Sequence, residues 1–127
     1  MKQQLESVEQ FHNAFEIENE SSPTLAPEDI FMLRHKLMKE ENDEYLEACW
    51  NGDLSQVADA LGDQLYILCG TILKHGLQHK IEEVFAEIHR SNMSKMGFDG
   101  KPLRREDGKI MKGPGYTPPD IEFILMK

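Results

Sequence analysis

"VADALGDQLYILCGTIL", residues 57 to 73, carries only Asp59, Asp63 and Gln64 as strongly polar side chains, with Thr71 a mild exception. A helix that is apolar on nearly all sides belongs in the middle of a fold, packed against neighbours around it. The pattern predicts such a helix over 55–75, capped by Asp53 or Ser55 and ended at His75 and Gly76. Asp59 and Asp63 are four residues apart and share one face, which continues through Tyr66 and Gly70. Buried carboxylates are costly unless something compensates their charge.

The preceding segment supplies more acid. Pro27 suits the first turn of a helix whose dipole favours Glu28 and Asp29, and the helix runs to about Trp50 before the turn signal "NGD". Its apolar stripe, Ile30, Leu33 and Leu37, continues at spacings of three and four onto Glu40 or Glu41, then Glu44, then Ala48. The stripe that should face the core therefore turns acidic. Taken alone, an EExxE run reads as a solvated flank, since charge runs usually meet water. Beside the acidic face of the next helix it reads as one wall of a cation site. Arg34, Lys36 and Lys39 are the few bases that could neutralise it from within these helices. Magnesium prefers carboxylate oxygens completed by waters or phosphates, and four or five acids on two adjoining helices offer such ligands.

Two further helices complete the count. Leu5, Val8, Phe11 and Phe15 mark an amphipathic helix over 4–18, broken by "NESSPTLAP". Ile81, Val84, Phe85 and Ile88 mark another over about 78–96, whose stripe ends in Asn92 and Lys95 before Gly97. That ending is either a frayed terminus with a dipole-stabilising lysine or a contact to phosphate or base. Four helices with short connections predict an all-α four-helix bundle over about 4–96, within a single domain spanning 1–127. From 97 to 127 the texture is rich in Gly, Pro and charge, with Asp107-Gly108 a candidate tight turn between two short extended pieces. Ile110, Met111, Tyr116 and the closing "IEFILMK" are too apolar for a disordered tail. The expectation is an irregular, ordered C-terminal flap folded back over the bundle, with a last helical turn after Pro119. Lys109 and Lys112 in that flap either close on phosphate oxygens or simply solubilise a loop.

Composition bounds the partners. The chain has 127 residues, 39% of them hydrophobic and 29% charged, and a net charge of −9. That balance argues against a nucleic-acid backbone, whose recognition rests on clustered Lys and Arg. No run is apolar enough to span a membrane, and "MKQQLESVEQ" lacks the apolar region of a signal peptide, so a cytoplasmic location is expected. Ten acids against three bases give residues 28–63 a charge of −7, and seven bases against three acids give residues 90–112 a charge of +4. An acidic middle and a basic end suit a polyanion bridged by cations. Cys49 and Cys69 lack metal-type spacing and read as free core thiols. A di-iron bundle would need Glu-x-x-His on two helices, and only Glu9 with His12 fits. His35, His75, His79 and His89 read as surface or boundary residues, and no cysteine or serine has a recognisable base partner.

"EENDE" at 40–44 followed by "DALGDQLYILCGT" at 59–71 resembles the all-α nucleoside triphosphate pyrophosphohydrolase superfamily, which includes the MazG proteins, the phosphoribosyl-ATP pyrophosphohydrolases and the dimeric dUTPases. The continuation "HRSNMSKMGFDGKPLRREDGKIMKGPGYTPPD" resembles a branch similar to phosphoribosyl-ATP pyrophosphohydrolase. The likeness runs in order over roughly residues 5 to 125. The second motif departs from its usual ExxD form, because Ala60 stands three residues before Asp63 and Asp59 one further back. The resemblance implies Mg²⁺, or Mn²⁺, held by Glu41, Glu44 and Asp63, with Asp59 in place of the usual glutamate. It implies a catalytic set of Glu40, Glu41 and Glu44, in which Glu40 orients or deprotonates the attacking water. Asn92, Lys95 and Tyr66 would touch the nucleotide, and Lys109 and Lys112 its phosphates. The implied reaction converts a nucleoside triphosphate and water to the monophosphate and pyrophosphate, in a homo-oligomer, most simply a homodimer. The rival reading is a non-catalytic helical nucleotide-binding or scaffold protein that keeps the fold.

Overall fold

The computed structural model describes residues 1–127. Five helices and one two-stranded ribbon make up the chain: α1 (Lys2–Ala14), α2 (Glu28–Trp50), α3 (Leu54–Lys74), α4 (Ile81–Met93), β1 (Leu103–Arg104), β2 (Ile110–Met111) and α5 (Ile121–Met126). The class is all-α, as the periodicity predicts. The chain forms two compact units, Met1–His79 and Lys80–Lys127, so α4 shares a unit with the segment after Gly97.

In the first unit α3 packs against both α2 and α1. Asp53 caps α3 by accepting a hydrogen bond from the Gln56 amide at 3.2 Å. At its far end Gly76 adopts φ +65°, and a Cβ there would run into the Ser22 carbonyl, so only glycine lets the 19–26 connection close over this turn. That connection is further tied by Thr24 N–H to the His75 carbonyl at 2.9 Å and by Ala26 N–H to His75 Nδ1 at 3.0 Å. Helix α1 stops at Ala14, short of the expected 18. Glu16 takes φ +59° and the Ile17 amide reaches back to the His12 carbonyl at 2.8 Å, a left-handed C-terminal closure.

Burial departs from the expected stripes on every long helix, with Leu33 on α2 and Phe85 and Ile88 on α4 exposed. On α1 the buried residues are Leu5, Val8 and His12, whereas Phe11 and Phe15 are exposed. The spacing 5–8–12 fits a helical face as well as 5–8–11–15, and the contact with α3 selects the first. On α3 the core is Ala60, Cys69, Ile72 and Leu73, while Leu61, Leu65 and Leu68 form an exposed stripe rather than being covered all round. Cys69 is fully buried as expected, but Cys49 is exposed, because the buried position at that end of α2 is its neighbour Ala48. No helix is long and apolar enough to cross a membrane.

In the second unit α4 packs against α5. It spans a shorter stretch than the predicted 78–96 and leaves Lys95 beyond its end. The ribbon pairs Leu103 with Met111 and Arg104 with Ile110, antiparallel, around a turn in which Gly108 has φ +87°. Asp120 caps α5 through the Phe123 amide at 3.1 Å, so the last helix begins at Ile121, two residues after Pro119. Ser91 is buried and its hydroxyl donates to the Thr117 carbonyl at 2.9 Å, pinning the approach to α5 onto α4.

Candidate active site

The α2–α3 contact decides where the acids go. Glu41 and Glu44 lie three apart on α2 and Asp63 lies on α3, and one oxygen from each falls within 4.8 Å of the others. Glu44 and Asp63 are exposed, whereas Glu41 is half-buried and its Oε2 is sealed from solvent with no hydrogen-bond partner. Burial is the largest reason that the Glu41 carboxyl is pushed up to about 7, followed by the hydrogen bond to Glu44 and the charges of Glu44, Asp63 and Asp59. A carboxylate with an orphaned oxygen beside two more carboxylates has the donor set for a hard divalent cation, all oxygen and all anionic. The residues present therefore fit such an ion.

Asp59 does not contribute an oxygen to this trio, although its charge is felt by Glu41. It lies on the same face of α3 one turn before Asp63, and it is exposed. Glu40 is exposed on α2 next to Glu41 and likewise stands outside the trio. Asp43 points elsewhere, paired with Lys39 at 2.9 Å.

A groove of about 490 Å³ runs from Glu41 and Asp63 past Leu37 and Tyr66 to Arg34 and His12. Tyr66 lines it, as the face through Asp59 and Asp63 predicts, and meets the Phe11 ring edge-on at 5.7 Å between centroids. At the far end His12 is 2% exposed, and its Nδ1 donates to Asn19 Oδ1 at 2.6 Å. Desolvation by burial is the main cause holding the His12 pKa low, with Arg34 and Lys74 adding to it, so the ring is neutral at pH 7. Arg34 is 8% exposed, its Nε donating to Thr71 Oγ1 at 3.1 Å and its Nη2 to the Ile67 carbonyl at 2.8 Å. The sequence offers Arg34 only as one possible counter-charge to the acids, and gives Phe11 and His12 no place in the site. The signal for His12 was its place at seven residues from Leu5, and for Arg34 its place seven before Glu41 on the same face.

The remaining expected contacts belong to the second unit. Asn92 is exposed in the last turn of α4, and Lys95 is half-buried just beyond it, its carbonyl accepting from the Gly113 amide at 2.8 Å. Lys109 is exposed beside the ribbon turn, its amide donating to Asp107 Oδ1 at 3.1 Å. Lys112 sits with its Nζ 4.8 Å from the centre of the Tyr116 ring.

Comparison with known proteins agrees with this architecture. A crystal structure from Exiguobacterium sp. 255-15, of a protein provisionally named an NTP pyrophosphohydrolase, is similar at a TM-score of 0.52 and 24% identity, over 97% of this chain and 94% of that one. At that identity the likeness speaks for the fold. No curated protein matches the chain. The model of the phosphoribosyl-ATP pyrophosphohydrolase family matches residues 8–92, more than half of the 127, and takes in the second half of α1, all of α2 and α3 and most of α4 with the whole carboxylate trio. The chain belongs to the phosphoribosyl-ATP pyrophosphohydrolase family, within the MazG-like all-α pyrophosphohydrolases.

Proposed function

We propose that this protein is a Mg²⁺-dependent nucleotide pyrophosphohydrolase that cleaves a (deoxy)nucleoside triphosphate, or a related nucleotide, at the α-phosphorus to yield the monophosphate and pyrophosphate. The observation that carries this reading is the orphaned, buried Oε2 of Glu41 within a 4.8 Å cluster of three carboxylates. Glu41, Glu44 and Asp63 would hold the cation, with Asp59, one turn earlier on the same face of α3, adding its charge. Bound there, Mg²⁺ or Mn²⁺ supplies charge neutralisation for the triphosphate and a lowered pKa for the attacking water.

The chain's own residues supply the rest. Glu40, exposed beside the trio, is the base that orients the water and takes its proton. Tyr66, with Phe11 against it, offers an aromatic wall to the nucleoside. Asn92, Lys95, Lys109 and Lys112 are assigned to the nucleotide and its departing pyrophosphate. Ammonium groups at that position stabilise charge that grows in the transition state. The exposed stripe of Leu61, Leu65 and Leu68 supports a homodimer in which a second copy covers it.

The test is pyrophosphate release across a panel of ribo- and deoxynucleoside triphosphates with Mg²⁺ or Mn²⁺, wild type beside Glu41→Gln. Release by the wild type that falls by at least roughly 100-fold in the variant is expected, as for loss of a metal ligand. Release from no nucleotide would favour the scaffold reading.

A further inference from the structure

Arg34 is a buried charge without a counter-ion. It is 8% exposed and belongs to none of the ion pairs of the molecule. The carboxylates that line the same groove, Glu41 and Asp63, belong to the acidic cluster. Glu41 stands seven residues further along α2, about 10 Å away along the axis. Burial holds the Arg34 pKa below its ordinary value, and no acid offsets that effect. The donors are not used up either. Nε goes to Thr71 Oγ1 and Nη2 to the Ile67 carbonyl, both neutral oxygens. Nη1 has no protein partner and is not sealed from solvent, and the side chain lines the groove.

The fold keeps the guanidinium in that place. Position 70 is glycine, and a Cβ there would lie 2.5 Å from Nη2 and 3.3 Å from Cζ of Arg34. Thr71 Oγ1 accepts from Nε while donating to the same Ile67 carbonyl at 2.9 Å, so the fork is held on two sides. A donor fixed in this way loses little freedom when a ligand arrives.

Positive charge gathers at this end of the groove. Lys74 lines it too, with its ammonium on the neutral Glu18 carbonyl. The charges of Arg34 and Lys74 both reach the buried His12, where they add to desolvation in keeping the ring neutral. The opposite end holds the carboxylates, and Leu37 stands between the two on α2. A neutral acceptor at Nη1 would satisfy the hydrogen bond and leave the buried charge uncompensated. An oxyanion supplies acceptor and opposite charge together, and the planar guanidinium fork matches the oxygens of a phosphate.

We infer that Arg34 forms an oxyanion-binding subsite, at the end of the groove away from the carboxylate trio, whose free Nη1 takes a tetrahedral dianion of the phosphate type. The subsite requires neither metal nor turnover, so it does not depend on the hydrolase reading. The phosphoryl group is either free inorganic phosphate or one carried by a nucleotide, and the same donor serves both.

Titration calorimetry in EDTA at constant ionic strength, with inorganic phosphate and sulfate as probes over a chloride background, measures the subsite directly. Wild type should bind both, and Arg34→Met, which keeps volume and removes the donors, should weaken them roughly 10- to 100-fold, the range for a hydrogen bond to a charged group. Arg34→Lys should lose less, since it keeps the charge without the fork. In the wild-type protein the Arg34 Nε–H resonance, sheltered by its bond to Thr71, should shift along the same isotherm. AMP and adenosine separate the two sources. Binding of AMP roughly tenfold or more tighter than inorganic phosphate, with adenosine indifferent to Arg34→Met, marks a phosphoryl group borne by a nucleotide. Inorganic phosphate as tight as AMP marks the free anion. No binding of phosphate or sulfate beyond the chloride background overturns the inference, as does an affinity that survives in Arg34→Met. If that variant fails to fold, an Arg34 Nε–H signal that stays fixed in the wild type while phosphate saturates overturns it equally. Absence of hydrolysis with Arg34-dependent phosphate binding would sink the hydrolase reading and leave this one standing, and hydrolysis without such binding would do the reverse.

Discussion

Replacing Glu41 by glutamine should stabilise the metal-free protein at pH 8 and leave its stability nearly unchanged at pH 4, below the window set by the carboxyl's ordinary value of 4.5. In the folded protein the Glu41 carboxyl titrates at about 7 instead of its ordinary 4.5, first because it is buried and then because Glu44 and Asp63 face it. Between those values the folded state keeps a proton that the unfolded state releases, so stability falls as pH rises through the window. Below it both states are protonated and nothing is lost. Above it both are ionised and the full penalty stands. Each pH unit of displacement corresponds to about 1.4 kcal/mol, which sets a ceiling of about 3 kcal/mol. Because Glu44 and Asp63 are exposed, solvent screening reduces this to about 1–2 kcal/mol. Over 127 residues, an unfolding entropy of about 2.1 cal/mol/K per residue converts that into about 4–8 °C. Glutamine has the same shape and can still donate to Glu44, so it removes the charge and little else. The assay is thermal unfolding by circular dichroism in EDTA at the two pH values. Addition of Mn²⁺ or Mg²⁺ at pH 8 should then raise the wild type and not the variant, because a bound cation relieves the same repulsion. A variant that melts at or below the wild type at pH 8 in EDTA would refute the claim that the cluster is electrostatically strained.

Three further outcomes test the frame around the site. Gly76→Ala, which forces a Cβ toward the Ser22 carbonyl at φ +65°, should lose about 2 kcal/mol or more in urea unfolding, and a midpoint equal to wild type would contradict the turn described. Asp53→Ala removes the cap on Gln56 N–H and should cost about 1 kcal/mol, with amide exchange accelerating first at the start of α3 and not in its middle. Glu87 is held down at about 2 by its pair with Arg90 and by the Asp120 amide at 2.7 Å. The contribution of that depressed carboxyl is present above its ordinary value of 4.5 and is lost as pH falls through about 2. Glu87→Gln should therefore speed exchange of the Asp120 amide at neutral pH, and the excess over wild type should shrink on acidification, while an unchanged rate would show that the α4–α5 connection does not depend on this contact.

Much of the helical content was readable because it is local. Asp53 as a cap, Gly76 as a stop and the run of Leu and Ile in α3 act within a few residues, and helix register alone places Glu41 with Glu44 on one side of α2 and Asp59 with Asp63 on one side of α3. The resemblance of "EENDE" and "DALGDQLYILCGT" to a pyrophosphohydrolase superfamily agrees with the family match, because those motifs carry the three clustered carboxylates within the matched residues. Which of two equally periodic faces of α1 is buried was not readable, since 5–8–12 and 5–8–11–15 differ only in what α3 presents to them. The same holds for the acids. Periodicity offers Asp59 and Asp63 alike, and only the meeting of α2 with α3 brings Asp63 to Glu41 and leaves Asp59 outside the trio. It holds also for Arg34, which as a letter in a helix is one base among several. Tertiary structure makes it a buried charge, by setting it against Gly70, Thr71 and the Ile67 carbonyl of a different helix. Spacing along one helix is set by the backbone of that helix, whereas burial and charge compensation depend on distances between chain segments that no local pattern contains.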